Sequence, residues 1–373
     1  MLKVVKFGGS SLADAAQFEK VRQIVTADPA RRVVVVSAPG KRFSADHKIT
    51  DLLYLCYAHL QYGVSAEGVF SMVVERYRSI AADCGLSADI DKEFLALYEK
   101  MQQGISQDEL VSRGEYFAAR LMAEYLGFDF LDAAEWLQFS FDGQIDREHS
   151  YEALRRIAED RSVVIPGFYG VMPDGHIKVL SRGGSDVTGA LAAAALGADV
   201  YENWTDVSGF LVTDPRIVKD PEVISTITYR ELRELSYMGA TVLHEDAIFP
   251  VRKEGIPINI KNTNRPEDKG TFIVESTCKK PKFTITGIAG KKGFCSINIE
   301  KSMMNSEVGF GRKVLQVFED QGISFEHVPS GIDTMTVYVH QDEFEEKEQQ
   351  VIAGIHRAVQ PDFVEMESDL ALI

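Results

Sequence analysis

Apolar residues in this chain follow two rhythms. Short uninterrupted runs alternate with longer stretches in which they return every three or four positions. "LKVVKF" at 2–7 predicts a strand, and "SLADAAQFEKVRQIVTAD" a helix with serine near its start as N-cap. "RRVVVVSAPGK" supplies a second strand, whose Val33–Val36 run has no polar interruption. Such a run suits a strand buried on both faces of a parallel sheet. Strand, helix and strand within about forty residues make a βαβ unit.

Residues 50–127 read as mostly helical, and "SVVIPGFYG" at 162–170 as a third buried strand. Asp174-Gly175 marks a turn between extended stretches. "VTGALAAAALGA" predicts an alanine-rich helix closed by glycine. "VYENWTDVSGFLVTDPR" carries a strand into a loop. "TYRELRELSYMGATVLHEDAIFPVRKEG" predicts two helices split near Met238-Gly239, and "PINIKNT" a strand. The alternation predicts an α/β domain with a mainly parallel sheet over roughly 1–277, divided near residue 170. "STCKKPKFT" at 276–284 is short, polar and basic, and reads as a linker. Beyond it, over 283–373, the pattern is strand "FTITGIAG", strand "FCSINIEK", helix, strand "ISFEHVPS", strand "TMTVYVH", helix. That predicts a separate ferredoxin-like α+β module.

Composition narrows the chemistry. The net charge of −16 argues against nucleic acid and anionic membrane surfaces as partners. An anionic ligand would need local cations. No run of 18 uncharged apolar residues occurs, and the start has no long apolar segment with a cleavage site, so a cytoplasmic protein is expected. The four cysteines and eight histidines are scattered without metal-ligand spacing.

Two glycine pairs carry the candidate chemistry. Gly8-Gly9 lies in "KFGGSS" and Gly183-Gly184 in "SRGGSD"; each follows an extended segment, precedes a helix, and has a cation beside it, Lys6 or Arg182. Glycine permits φ > 0 and close approach of a ligand, and the helix beyond offers free N–H groups to phosphate. Neither pair is a Walker A or dinucleotide motif. Plainer readings stay open. Lys6 could be a solvated strand-end lysine, Asp186 a first-turn residue complementing the helix dipole, and Glu115 an exposed helix residue.

"KFGGSS", "VVVVSAPG" with "ITDLL", "SRGE", "SRGGSDVTGALAAAALGAD", "NWTDVSGFLVTDPR" and "MGATVLHEDAIFPV" stand in the order seen in aspartate kinases. The chain resembles the single-function, effector-regulated type over essentially its whole length. The resemblance implies the amino-acid kinase fold and ATP-dependent phosphorylation of the L-aspartate side-chain carboxylate, with ATP as its Mg²⁺ complex and no protein-ligated metal. This is the first step toward lysine, threonine and methionine. It implies that Lys6, with Gly8, Gly9 and Ser10, meets the phosphates, and that Asp186 organises them. It implies further that Arg182 holds a substrate carboxylate, Glu115 reads the ammonium, and Ser37 and Thr50 line the acceptor side. Thr205, Asp206, Arg216, Thr241 and Val242 match nucleotide contacts. Thr241 and Leu211 depart from relatives that carry lysine and tyrosine there.

The C-terminal module resembles an ACT domain. Met303, Ser306, Gly309 and Phe310 of "SMMNSEVGFG", with Ser330 and Asp333 of "PSGIDT", match its effector loops, implying feedback by lysine or threonine. A structural turn at Gly309 and Gly311 is the plainer reading. Relatives carry a second ACT unit, and "ESDLALI" is expected to open one here. A homodimer or higher homo-oligomer is expected. The alternatives are another kinase of the same fold, acting on acetylglutamate, glutamate or uridylate, and a catalytically silent amino-acid sensor.

Overall fold

The computed structural model describes residues 1–87, 89–181, 183–237, 245–277 and 284–373. They form two compact units, Met1–Gly287 and Ile288–Ile373.

The first unit opens with β1 (Lys3–Phe7), α1 (Ala15–Thr26) and β2 (Val33–Val36). Four helices follow, α2 (Ile49–Gln61), α3 (Glu67–Asp83), α4 (Ile90–Gln103) and α5 (Gln107–Leu126). The chain continues through β3 (Asp129–Phe130), α6 (Arg147–Ala158), β4 (Val163–Pro166), β5 (Tyr169–Val171), β6 (Ile177–Val179), α7 (Gly184–Leu196) and β7 (Val200–Thr205). It closes with β8 (Thr226–Thr228), α8 (Tyr229–Tyr237), α9 (Glu245–Lys253), β9 (Ile258–Asn262) and β10 (Thr271–Val274).

Eight strands make one sheet in the order β3-β4-β2-β1-β7-β9-β10-β8. Every pairing in it is parallel except β9 with β10. The strand period of two divides β1 and β2 between two cores. Val4, Val33 and Val35 pack with the alanines of α7. Val5, Phe7, Val34 and Val36 pack with α1 and the helices between β2 and β3. The valine run is therefore buried on both faces, as a parallel sheet requires. β1 pairs with β2 on one side and β7 on the other, so the chain's winding reverses there. In such sheets a ligand crevice opens at the carboxyl ends of the strands at the reversal.

Two local expectations are corrected. α1 begins at Ala15, with Asp14 as N-cap accepting from the Gln17 N–H at 2.9 Å; the serines lie in a short 3₁₀ turn, Gly9–Leu12. The 162–170 stretch is not one strand. It breaks at Gly167, where an added Cβ would stand 2.6 Å from the Ser185 side chain, and Phe168 takes φ 80°. β5 then pairs with β6 in a separate hairpin, its turn made at Gly175 (φ 86°). The proposed split near Met238-Gly239 lies outside the described residues.

The second unit contains β11 (Lys291–Glu300), α10 (Phe310–Asp320), β12 (Phe325–His327), β13 (Thr334–His340), α11 (Gln341–Glu345), α12 (Glu348–Val359) and β14 (Phe363–Leu372). Its antiparallel sheet runs β12-β13-β11-β14 over a core that includes Val314, Phe318, Val351 and Ile355. The expected lead strand over 283–290 does not form among its described residues. Its place in the sheet is taken by β14, which pairs antiparallel with β11 from Glu300↔Phe363 to Lys291↔Leu372. "ESDLALI", expected to open a further module, thus belongs to this sheet.

Candidate active site

A cleft of about 2240 Å³ lies in the first unit and is lined by Lys6, Gly9, Ser10, Ser37, Thr50, Glu115, Asp186 and Asp206, among others. Lys6 reaches it through the strand period. It shares a face with Val4, points toward α7, and is only 7% exposed. Its ammonium sits 2.5 Å from Asp186 Oδ1, in the first turn of α7. Asn203, the cross-strand neighbour of Lys6 on β7, donates to the same oxygen at 2.7 Å. Tyr201, two positions back on the same face, donates to the Asp186 carbonyl at 3.1 Å. Lysine, asparagine and aspartate are thus locked into one buried cluster at the mouth of the sheet. A solvated strand-end lysine does not describe Lys6.

The two glycine pairs differ in purpose. Gly183 has φ 72° and caps α7, as a left-handed turn demands. Gly8 is extended and Gly9 begins the 3₁₀ turn, so neither takes the positive φ expected of them. Close approach is what they provide. A Cβ on Gly9 would lie 2.8 Å from the Ala38 carbonyl oxygen, and one on Gly40 would lie 2.7 Å from the Gly9 carbonyl carbon. The Gly40 N–H donates to Gly9 O at 2.7 Å. The loops after β1 and β2 therefore touch backbone to backbone, and Lys6 Nζ lies 3.6 Å from where a Gly8 Cβ would be.

Glu115 occupies the opposite wall. It lies on α5, where Gly114 packs against Ala38. It is 5% exposed, accepts the Ala38 N–H, and its Oε2 has no partner among the described residues. Burial pushes the carboxyl up to about 8, against weaker lowering by the Ala38 and Glu115 N–H groups and by Lys6. An exposed helix residue does not describe it. Ser37 and Thr50 line the same cavity.

The nucleotide-side residues are less gathered. Asp206 lines the cleft and accepts from the Thr205 hydroxyl at 3.2 Å. Arg216 does not line it. Its side chain is 86% exposed and folds back on Asp214, with Nη2 2.6 Å from Oδ2. Arg182, Thr241 and Val242 lie outside the described residues. Leu211 bridges to Val223 in a short antiparallel contact.

Sequence reasoning did not find Asn203 or Phe168. Asn203 had a signal, since it opens the stretch "NWTDVSGFLVTDPR" that carries part of the family resemblance. Phe168 had none, because its left-handed backbone is set by Gly167 packing on Ser185 and by its N–H donating to Thr188 Oγ1 at 3.0 Å. Seven cations and four carboxylates line the cleft among the described residues.

In the second unit the two expected effector segments meet. Met303 is left-handed (φ 62°) and its N–H donates to Asp333 Oδ1 at 2.9 Å. The Asn305 N–H donates to Ile332 O at 3.1 Å, and the Ser306 N–H to Met303 O at 3.0 Å. Gly309 (φ 81°) caps α10, Phe310 is buried beneath, and Ser330 bridges to Met335.

Comparison with known proteins gives the family. The amino acid kinase family matches residues 1–262. Aspartokinase 3 of Bacillus subtilis is 42% identical over 388 aligned residues, covering all of this chain and 85% of its own. The crystal structure of Clostridium acetobutylicum aspartate kinase superposes with a TM-score of 0.90 at 48% identity, over 99% of this chain and 85% of that one. Escherichia coli aspartokinase III, solved with lysine and aspartate, gives a TM-score of 0.72 at 25% identity, over 99% of this chain and 86% of that one. On these grounds the chain belongs to the amino acid kinase family and, within it, to the aspartokinases.

Proposed function

We propose that the cleft binds ATP and L-aspartate and transfers the γ-phosphoryl group to the side-chain carboxylate, giving 4-phospho-L-aspartate and ADP. The Lys6–Asp186–Asn203 cluster, opposite the buried acid Glu115, carries the reading. A carboxylate is already a nucleophile at neutral pH, so the barrier lies in bringing two anions together. Lys6 neutralises charge on the phosphoryl group in flight, held in place by Asp186. The Gly9 and Ser10 backbone borders the phosphates. Glu115, once ionised, receives the substrate ammonium; Arg182 takes a carboxylate bidentately; Ser37 and Thr50 complete the acceptor wall. Thr205, Asp206, Thr241 and Val242 serve the nucleotide, and Arg216 reaches it only by leaving Asp214.

No group of three His, Cys, Asp or Glu side chains is gathered among the described residues to hold an ion by itself. We assign the ligands of Mg²⁺ to the nucleotide phosphates, with Asp186 and Asp206 the carboxylates at hand. The ion would add positive charge at the phosphates. The Met303–Asp333 turn is our site for an amino-acid effector, with lysine first among candidates because lysine is bound in the Escherichia coli structure. The enzyme works as a homo-oligomer in the cytoplasm; no described helix is long and apolar enough to cross a membrane.

Coupled ADP release with L-aspartate, L-glutamate and N-acetylglutamate tests the reading. Turnover with L-aspartate alone is expected. Turnover with N-acetylglutamate and none with L-aspartate overturns it, and absence of turnover on all three favours a sensor.

A further inference from the structure

α3 carries an apolar face formed by Phe70, Val73, Tyr77 and Ile80, and in the middle of it stands a guanidinium. Arg76 is 5% exposed. A buried arginine is costly unless its donors are met, and here they are spent on three chain segments. Nη1 donates to Gly40 O at 2.8 Å and to Ala13 O at 3.4 Å. Nη2 donates to Asp46 Oδ2 at 2.6 Å and to His47 O at 3.4 Å. Arg42 holds Asp46 from outside, Nε to Oδ2 at 2.8 Å, and these contacts keep the Asp46 carboxyl far below the usual range.

Those segments are not arbitrary. Ala13 ends the turn that begins at Gly9. Gly40 is the residue whose backbone lies against Gly9. Asp46 and His47 lead into α2, which brings Lys48 and Thr50 to the cleft. The next residue of α3, Tyr77, donates to the carbonyl of Gly114, which precedes Glu115. One helix thus pins the phosphate loop, the acceptor loop and the Glu115 wall from behind.

We propose that Arg76 is a positioning residue for phosphoryl transfer. It clamps the Gly9–Gly40 junction, where the phosphate-side and acceptor-side loops meet, and so fixes the distance between donor and acceptor. The inference rests on the kinase reading above for its substrates. An ion pair that only stabilises α3 would change melting temperature and leave kinetics of the folded enzyme alone. A clamp changes both KM values and kcat together, because a shift of about 1 Å in relative position can cost about 10²-fold in rate.

Arg76→Met is expected to lower kcat about 10²-fold and to raise KM for ATP and for aspartate, measured well below its melting temperature. Arg76→Lys should recover part of the loss, since one ammonium cannot span Gly40 and Asp46 as a planar fork does. Gly40→Ala keeps Arg76 and pushes on Gly9, and should give the same joint signature. Combined with Arg76→Lys it should be less than additive. Arg78→Ala, on the exposed side of α3 and paired with Asp91, should stay within twofold of wild type. ADP affinity by calorimetry, expected to weaken in Arg76→Met and Gly40→Ala, needs no acceptor, so this test stands even if the acceptor is not aspartate. Wild-type kcat, KM values and ADP affinity in a folded Arg76→Met or Gly40→Ala enzyme would overturn the proposal. If Arg76→Met does not fold, Gly40→Ala decides.

Discussion

Glu115 should make acceptor binding depend on pH in a way that a surface glutamate would not. Its carboxyl, pushed up to about 8, is mostly neutral in the free enzyme at pH 7, by roughly ten to one. A substrate ammonium needs the carboxylate, so binding must first remove the proton, at about 1.4 kcal/mol at pH 7. KM for aspartate should therefore fall about eightfold between pH 7 and pH 8.5 and then level off. Calorimetry in two buffers of different ionisation enthalpy should show about 0.9 proton released per aspartate bound at pH 7. Glu115→Gln should bind weakly at every pH and release none. The sign for stability is the opposite. The folded value lies above the unfolded one of 4.5, so the contribution is fully present below about pH 4.5 and is lost as pH rises through about 8. Glu115→Gln should accordingly melt higher than wild type at pH 8. Lys6 is the charged neighbour whose effect favours the carboxylate, and Tyr54 and Tyr77, also near Glu115, are pushed up by burial and stay neutral across this window. A KM constant within twofold from pH 6.5 to 8.5, with no proton release, refutes the reasoning.

Three further outcomes follow from particular contacts. Lys6→Ala should lower kcat by about 10² or more, since it removes a charge aimed at the transition state, and Asn203→Leu by a smaller factor; a Lys6→Ala kcat within twofold of wild type would return Lys6 to an incidental role. Gly189→Ala places a Cβ 2.6 Å from the Tyr201 hydroxyl beneath Asp186, and should cost about 1–3 kcal/mol in denaturant unfolding. Asp333→Ala unlatches the Met303 N–H and should raise the lysine concentration for half-inhibition at least about tenfold, close to the loss of one charge-assisted hydrogen bond; an unchanged inhibition curve removes that turn from the effector site.

What the sequence disclosed depended on how local the cause was. The valine run, the alanine-rich helix with its closing Gly197 and the Asp174-Gly175 turn are short-range effects, and each was legible. The registers that pair Lys6 with Asn203, and Gly9 with Gly40, join segments far apart in the chain, and no periodicity contains them. The ferredoxin-like module was legible as a pattern, yet its fourth strand was assigned to the wrong end, because "FTITGIAG" and "FVEMESDLAL" are both strand-like and only the ladder to β11 decides between them. Burial of an ion pair is no guide either. Lys3 meets Glu202 at 3.0 Å, with Arg31 and Trp204 completing the contacts, and that pair lines no part of the cleft. Lys6–Asp186 differs by standing at the carboxyl ends of the strands.

That placement also resolves how an acidic chain can hold two anions. Over the whole sequence 56 carboxylates outnumber 40 cations, but seven cations face four carboxylates along the described cleft walls. Of those four, Asp186 is neutralised by Lys6, and Glu115 is mostly uncharged until a cation arrives to ionise it. The Lys6–Asp186 pair cancels without changing the excess of three cations, and the neutral Glu115 raises it to four; Lys6 is buried, while Lys41, Lys48, Arg147, Arg233 and Arg252 are exposed, where salt screens them. The same burial that raises Glu115 lets one residue be neutral toward an incoming phosphate and anionic toward an ammonium. Approach of a polyanion and recognition of an amino acid, which make opposite demands on a fixed charge, are reconciled by a group whose charge the substrate itself sets.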